Sequence, residues 1–150
     1  MKEKFKMKKT ILAAIFAAAI AVSGVAGFAT RANADGTGNT TDTEFSFYNM
    51  NSSGHSVGRE KRNTTKVYCY PWYGPSVKYN VEGYHTATNQ WMDRSNSFVI
   101  STGTQASLTN YVYENGERSA RLGFVRQSYA GVYTRGYWSP DSSRNYTIFR

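Results

Sequence analysis

The chain has 150 residues and a formal net charge of +8, with one cysteine, two histidines and 12 tyrosines. Six of the 18 basic residues and one of the 10 acidic ones lie in the first 34, which leaves 12 against nine, a net charge of +3. Beyond residue 34 the one basic run is Arg59 to Arg62, "REKR", which falls short of the concentrated basic face that nucleic acid needs, and a lone Cys69 excludes an intramolecular disulfide.

Lys2, Lys4, Lys6, Lys8 and Lys9 precede an Ala-rich apolar run from Ile11 to Phe28, which ends before Ala32-Asn33-Ala34. That order is the layout of a secretory signal peptide. The run reaches the lower bound for a membrane span, but Gly24, Gly27 and the small-residue cleavage site favour removal over anchoring. Cleavage is expected after Ala34, giving a secreted, extracellular product with no membrane segment. No lipidation cysteine lies in residues 1–34 and no sortase-type motif lies near Arg150, so the expected product carries no covalent anchor. Residues 35–43, "DGTGNTTDT", have no apolar side chain and read as a flexible leader. Residues 44–150 are expected to form a single domain, large enough for one modest core.

Beyond the leader, Tyr is common, Leu is sparse and no 3.6-residue period is sustained; aromatics together with Val and Thr favour strands. "EFSFYNM" (44–50) alternates Phe45 and Phe47 and predicts a strand; "NSSGHSVG" (51–58) predicts a loop. "TKVYCY" (65–70) is a second strand, and "PWYGP" (71–75) is expected to break the chain between its two prolines. "SVKYNVEGY" (76–84) sets Val77, Tyr79 and Val81 against Lys78, Asn80 and Glu82, the alternation of a half-buried strand. "QWM" (90–92) and "NSFVIS" (96–101) give shorter strands, and "GTQAS" (103–107) a turn. Asn115-Gly116 between two strand-like runs predicts a type I′ hairpin. Tyr113 would then face Arg118, and Tyr111, Tyr113, Ala120 and Leu122 would share one face. "SYAGVYTRGYW" (128–138), a turn at "SPDSS" (139–143) and a strand at "NYTIF" (145–149) complete the chain. Seven or eight short strands without a helix predict an all-β domain, an antiparallel sandwich or a small barrel.

Chemistry is thinly represented. Cys69 and His85 make a conceivable nucleophile–base pair, yet Cys69 between Tyr68 and Tyr70 reads as a buried apolar side chain. His55 and His85 share no metal-ligand spacing with an acid, and the chain has no nucleophile elbow and no phosphate loop. Glu82, Asp93, Glu114 and Glu117 are the candidates for a catalytic carboxylate pair, but acids at strand ends and turns ordinarily solvate a surface. No cofactor, no metal and no enzymatic activity are expected. A binding role fits better. Flat aromatic rings on a β-domain suit the C–H faces of sugars, and Trp72, Tyr73, Trp91, Tyr137 and Trp138 are the candidates. Core filling is the competing reading for each, because aromatics bury the most area in a chain poor in Leu. Trp72, in the expected break, should be the most exposed; Trp138 should pack inward.

The order "FSF", "RNTT" (62–65), "VEGY" (81–84), "YVYENG" (111–116), "ARLGF" (120–124) and "GYWSPDS" (136–142) resembles a group of small exported proteins of Gram-positive bacteria. That Bacillus/Clostridium-type group is known only as a domain of unknown function, with a GYWDEE or G-x-W-S-P-D-S signature near the C-terminus. The resemblance implies a small secreted β-protein and carries no activity, substrate or site residue. The leading expectation is therefore a non-enzymatic extracellular or cell-envelope protein whose partner is wall glycan or a surface protein. A bacteriocin-like secreted antibacterial factor is the alternative, and a small hydrolase stands third.

Overall fold

The computed structural model describes residues 38–150, so the signal-peptide reading lies outside the described residues. The strands are β1 (Thr43–Tyr48), β2 (Ser53–His55), β3 (Arg59–Glu60), β4 (Lys66–Tyr73), β5 (Val77–His85) and β6 (Gln90–Asp93). They continue with β7 (Phe98–Ile100), β8 (Ala106–Leu108), β9 (Ser119–Arg126), β10 (Tyr133–Ser142) and β11 (Thr147–Phe149). No helix occurs among the described residues, and the chain is all-β. The strands outnumber the seven or eight expected because several have only two to four residues.

The alternating residues divide two sheets from one core. Val77, Tyr79 and Val81 of β5 are fully buried, as are Leu122 of β9 opposite Val81 and Ala120 opposite Gly83. β1 buries Phe45 and Phe47 between exposed neighbours. The first sheet runs β1-β10-β4-β8-β11, antiparallel except that β11 lies parallel to β8. The second runs β2-β9-β5-β6, with β3 also on β9 and β7 on β5. Rings lock the two together: Phe45 meets Tyr79 edge-on at 5.9 Å and stacks on Phe124 at 5.2 Å, and Phe47 stacks on Phe124 at 5.6 Å. Val67, Cys69, Leu108 and Trp138 complete the core from the first sheet, and Phe98 and Ile100 from the second.

Several expectations are corrected. "PWYGP" does not break the chain, because β4 continues to Tyr73. Pro71 lies opposite Gly136 and Tyr73 opposite Arg135, so Trp72 is the extra residue of a β-bulge, where a strand tolerates proline. "SPDSS" is no terminating turn: β10 runs through Ser139, Pro140 and Asp141 to Ser142, all buried. The 51–58 loop and the 103–107 turn each contain part of a strand, β2 and β8.

The Asn115-Gly116 hairpin does not form. Type I′ needs positive φ at both central residues; Gly116 has it at 79°, and Asn115 does not. Residues 111–117 instead close on themselves through Asn115 N–H to Tyr111 O (3.1 Å) and Glu117 N–H to Val112 O (3.1 Å). Val112 is fully buried while Tyr111 is exposed, which reverses the predicted face. The partner of β9 is β5, with Phe124 opposite Tyr79. Burial of Val112 and capture of the Glu117 carboxylate by Arg94 Nε (2.9 Å) outweigh a local turn preference.

Candidate functional site

The outward face of the first sheet is aromatic. Three strands bring its rings into rows: Tyr48 lies opposite Tyr133, Ser46 and Tyr73 flank Arg135, and Glu44 and Tyr70 flank Tyr137. The bulge at Trp72 adds a ring to this pattern. Strict alternation after Tyr70 would turn one of Trp72 and Tyr73 inward, whereas the extra residue leaves both outside, 37% and 50% exposed. Trp72 stacks on Tyr137 at 6.4 Å and leans on Tyr73 at 5.9 Å; Tyr137 is 41% exposed. Tyr48 and Tyr133 pair at 5.0 Å beside them.

Two glycines fix this surface from behind. Gly74 has φ +95°, and a Cβ there would collide with the carbonyl oxygen of Tyr133, so the β4–β5 turn lies directly on β10. A Cβ at Gly136 would collide with the Phe45 ring and lie 2.5 Å from Tyr70 O. Between that turn and the 131–133 segment opens a shallow groove of about 440 Å³, lined by Trp72, Tyr73, Gly131, Val132, Tyr133 and Arg135. Further along the face, Tyr68 packs against Tyr146 at 5.2 Å under the Arg144 guanidinium at 5.3 Å. Burial, reinforced by Tyr146 and Asp42, pushes the Tyr68 phenol up to about 12.

Three of the five predicted residues, Trp72, Tyr73 and Tyr137, thus meet on one surface. Trp91 is elsewhere, on β6 of the second sheet. Arg121 covers its ring at 4.4 Å, Tyr84 leans on it at 5.3 Å, and a Cβ at Gly58 would come within 2.7 Å of it. Trp138 lies in the core at 1% exposure, because it points opposite to Tyr137 on the same strand.

The groups weighed for catalysis are engaged or apart. Cys69 is fully buried in the first sheet, with its thiol pushed up by desolvation, while His85 ends β5 in the second and contacts Thr88. Glu82 and Asp93 face one another in register. Glu82 nevertheless binds Arg121 Nε (2.6 Å) and lies 3.3 Å from His55 Nε2, and Asp93 accepts from Asn80. Glu117 is clamped by Arg94.

Composition gave no sign of the arrangement around Asp141. Its Oδ2 accepts from the backbone N–H groups of Asn39 (2.8 Å) and Arg62 (2.9 Å). Its Oδ1 accepts from Lys61 Nζ (3.0 Å) and more weakly from Asn63 N–H (3.4 Å). Lys61 is fully buried and also donates to the carbonyls of Thr65 (2.6 Å) and Pro140 (2.7 Å), so its three protons are all placed. Burial lowers the Lys61 pKa from its ordinary value, partly offset by Asp141. Of the expected leader, residues 38–43 are described, and they are tied in. Asn39 Nδ2 donates to Glu60 O (2.8 Å), Arg59 donates to Thr41 O (2.7 Å), and Asp42 pairs with Arg144 (3.2 Å). Asp141 therefore ties the chain entering β1 and the 61–65 segment to the end of β10.

The family described as protein of unknown function, DUF2712, matches residues 30–142. The chain belongs to this family. The DUF2712 match ends just beyond Asp141 and spans every residue that Asp141 binds, as well as Trp72, Tyr73 and Tyr137. No curated protein and no solved structure matches the chain.

Proposed function

We propose that this DUF2712 protein is a secreted, non-enzymatic binding protein of the Gram-positive envelope, and that its aromatic face takes the saccharide rings of wall glycan. The observation that carries the reading is the placement of Trp72, Tyr73 and Tyr137 on one exposed surface, with Trp72 stacked on Tyr137. Exposed rings on rigid strands keep their positions, so little ordering entropy is lost on binding. A pyranose offers C–H groups to the ring faces and hydroxyls to polar neighbours such as Ser46 and Arg135, which share the row with Tyr73. The face is broad and shallow, as a polymer needs.

Tryptophan emission tests this directly, since the three Trp side chains differ in setting. Soluble wall oligosaccharides should quench the wild type saturably, with the same response in Trp91→Phe. Trp72→Phe should lose most of that response, and Tyr137→Ala should bind about tenfold more weakly or worse, as for a central aromatic contact. Quenching that is indifferent to Trp72 and Tyr137 would place the ligand elsewhere.

A further inference from the structure

Of the nine arginines among the described residues, seven are engaged, and Arg135 and Arg150 are not. Among the described residues, Arg59, Arg62, Arg94, Arg118, Arg121, Arg126 and Arg144 each donate hydrogen bonds to protein oxygens. Arg135 makes no hydrogen bond or ion pair with any described residue, and its side chain is exposed. It stands at the centre of the aromatic face, between Ser46 on β1 and Tyr73 on β4, with its guanidinium 5.9 Å from the Tyr133 ring. It also lines the groove with Trp72, Tyr73 and Tyr133. The acid closest to it by register, Glu44, lies one row away opposite Tyr137 and forms no ion pair with it.

An arginine in that position presents a planar fork of donors that matches the oxygens of a carboxylate or phosphate. The rings around it select a flat, partly apolar group, and the guanidinium selects negative charge beside that group. We propose that the groove binds an anionic saccharide, with the sugar ring on Trp72 and Tyr73 and its carboxylate or phosphate on Arg135. This rests on the glycan reading above and names the charge that reading leaves open. The two oxyanions share one recognition chemistry and come from different polymers, so the probes must separate them.

The test is calorimetric titration of the whole exported chain with three soluble probes. The first is a neutral chito-oligosaccharide, the second the same backbone with lactyl-ether carboxylates on alternate sugars, and the third a glycerol-phosphate polymer carrying sugar substituents. One of the two anionic probes should bind at least about tenfold more tightly than the neutral one, a difference typical of one charge-assisted contact. Arg135→Gln should remove that margin, so that the variant binds the anionic and neutral probes alike; Arg135→Lys should restore part of it. Which anionic probe keeps the margin identifies the polymer. Equal affinity for all three, or a margin that survives Arg135→Gln, overturns the anion assignment and leaves the aromatic platform standing. No binding of any probe overturns both. Because Arg135 is exposed, near-ultraviolet circular dichroism of the variants should match the wild type.

Discussion

Asp141 combines two kinds of partner in one buried place. It neutralises Lys61, and it holds backbone N–H groups that have no other acceptor at that point in the fold. Removing one charge of a buried pair strands the other, at a cost of about 3–5 kcal/mol. Asp141→Asn should therefore lower the unfolding free energy by that order in urea. A simple ion pair can often be replaced by apolar residues without loss. Lys61→Met with Asp141→Leu should still fall well below the wild type, since the N–H groups of Asn39 and Arg62 would be orphaned. Wild-type stability in that double variant would reduce Asp141 to an ordinary charge partner.

Titration of buried groups gives a second expectation at this scale. Tyr68 is raised from 10.0 to about 12, and Cys69 and Tyr79 are raised too, all led by desolvation. The folded state then holds protons that the unfolded chain gives up. Their contribution is complete below the unfolded values, about 9 for Cys69 and 10 for the tyrosines, and is lost as pH rises toward the folded ones. The thermal midpoint should decline steadily between about pH 9 and 12. Tyr68→Phe should make that decline shallower; a midpoint unchanged at pH 11 would contradict the burial of all three. The buried Cys69 was readable from its place in "VYCY", because a small side chain in a strand with aromatic neighbours has an obvious inward position. Asp141 was not, because "SPD" is a common turn sequence and only the distant Lys61 and Asn39 reveal that the carboxylate is enclosed.

Elements show the same division between local and distant causes. β1 and β5 are plain in the sequence, since Phe45 and Phe47, or Val77, Tyr79 and Val81, carry a two-residue period without outside help. The end of β4 is not, since Pro71 and Gly74 signal a break and the bulge that absorbs the proline depends on pairing with β10. The segment around Asn115-Gly116 departs from its local turn preference for the matching reason. The turn preference is local, while the burial of Val112 and the Arg94–Glu117 clamp are long-range. β10 is the element on which this architecture depends, with β1 and β4 on its two sides. Gly136→Ala should be costly there, because the added methyl meets both the Phe45 ring and the Tyr70 carbonyl. A loss of about 1–3 kcal/mol is expected in chemical denaturation, the usual range for overpacking. A neutral result would mean that β1 and β4 can part by several tenths of an ångström without loss.

Over the whole molecule, the two sheets use their aromatics for opposite ends. Inside, Phe45, Phe47, Tyr79, Phe124 and Trp138 make the core that so little Leu would otherwise leave unfilled. Outside, Trp72, Tyr73, Tyr133 and Tyr137 make a surface. Residue type alone could not sort one set from the other: adjacent Tyr137 and Trp138 fall on opposite sides of β10. The sequence did suggest which rings to consider, and pairing chose among them, leaving Trp91 under Arg121 and sending Trp138 inward. The same pairing placed Arg135 among the outer rings, which its isolated position in "YTRGYW" did not announce.

The most direct measurement is co-sedimentation of purified protein spanning residues 35–150 with intact cell-wall sacculi, comparing the wild type with a Trp72→Ala/Tyr137→Ala variant at low and high salt. Salt at roughly 1 M shrinks the reach of charge to about 3 Å, so contacts through rings outlast attraction by net charge. The wild type should pellet at low salt and in good part at high salt, and the variant should stay in solution at high salt. Equal pelleting of the two proteins, or pelleting that vanishes entirely with salt, would contradict an aromatic glycan-binding face. No pelleting under either condition would contradict it as well and turn attention to growth inhibition of neighbouring strains.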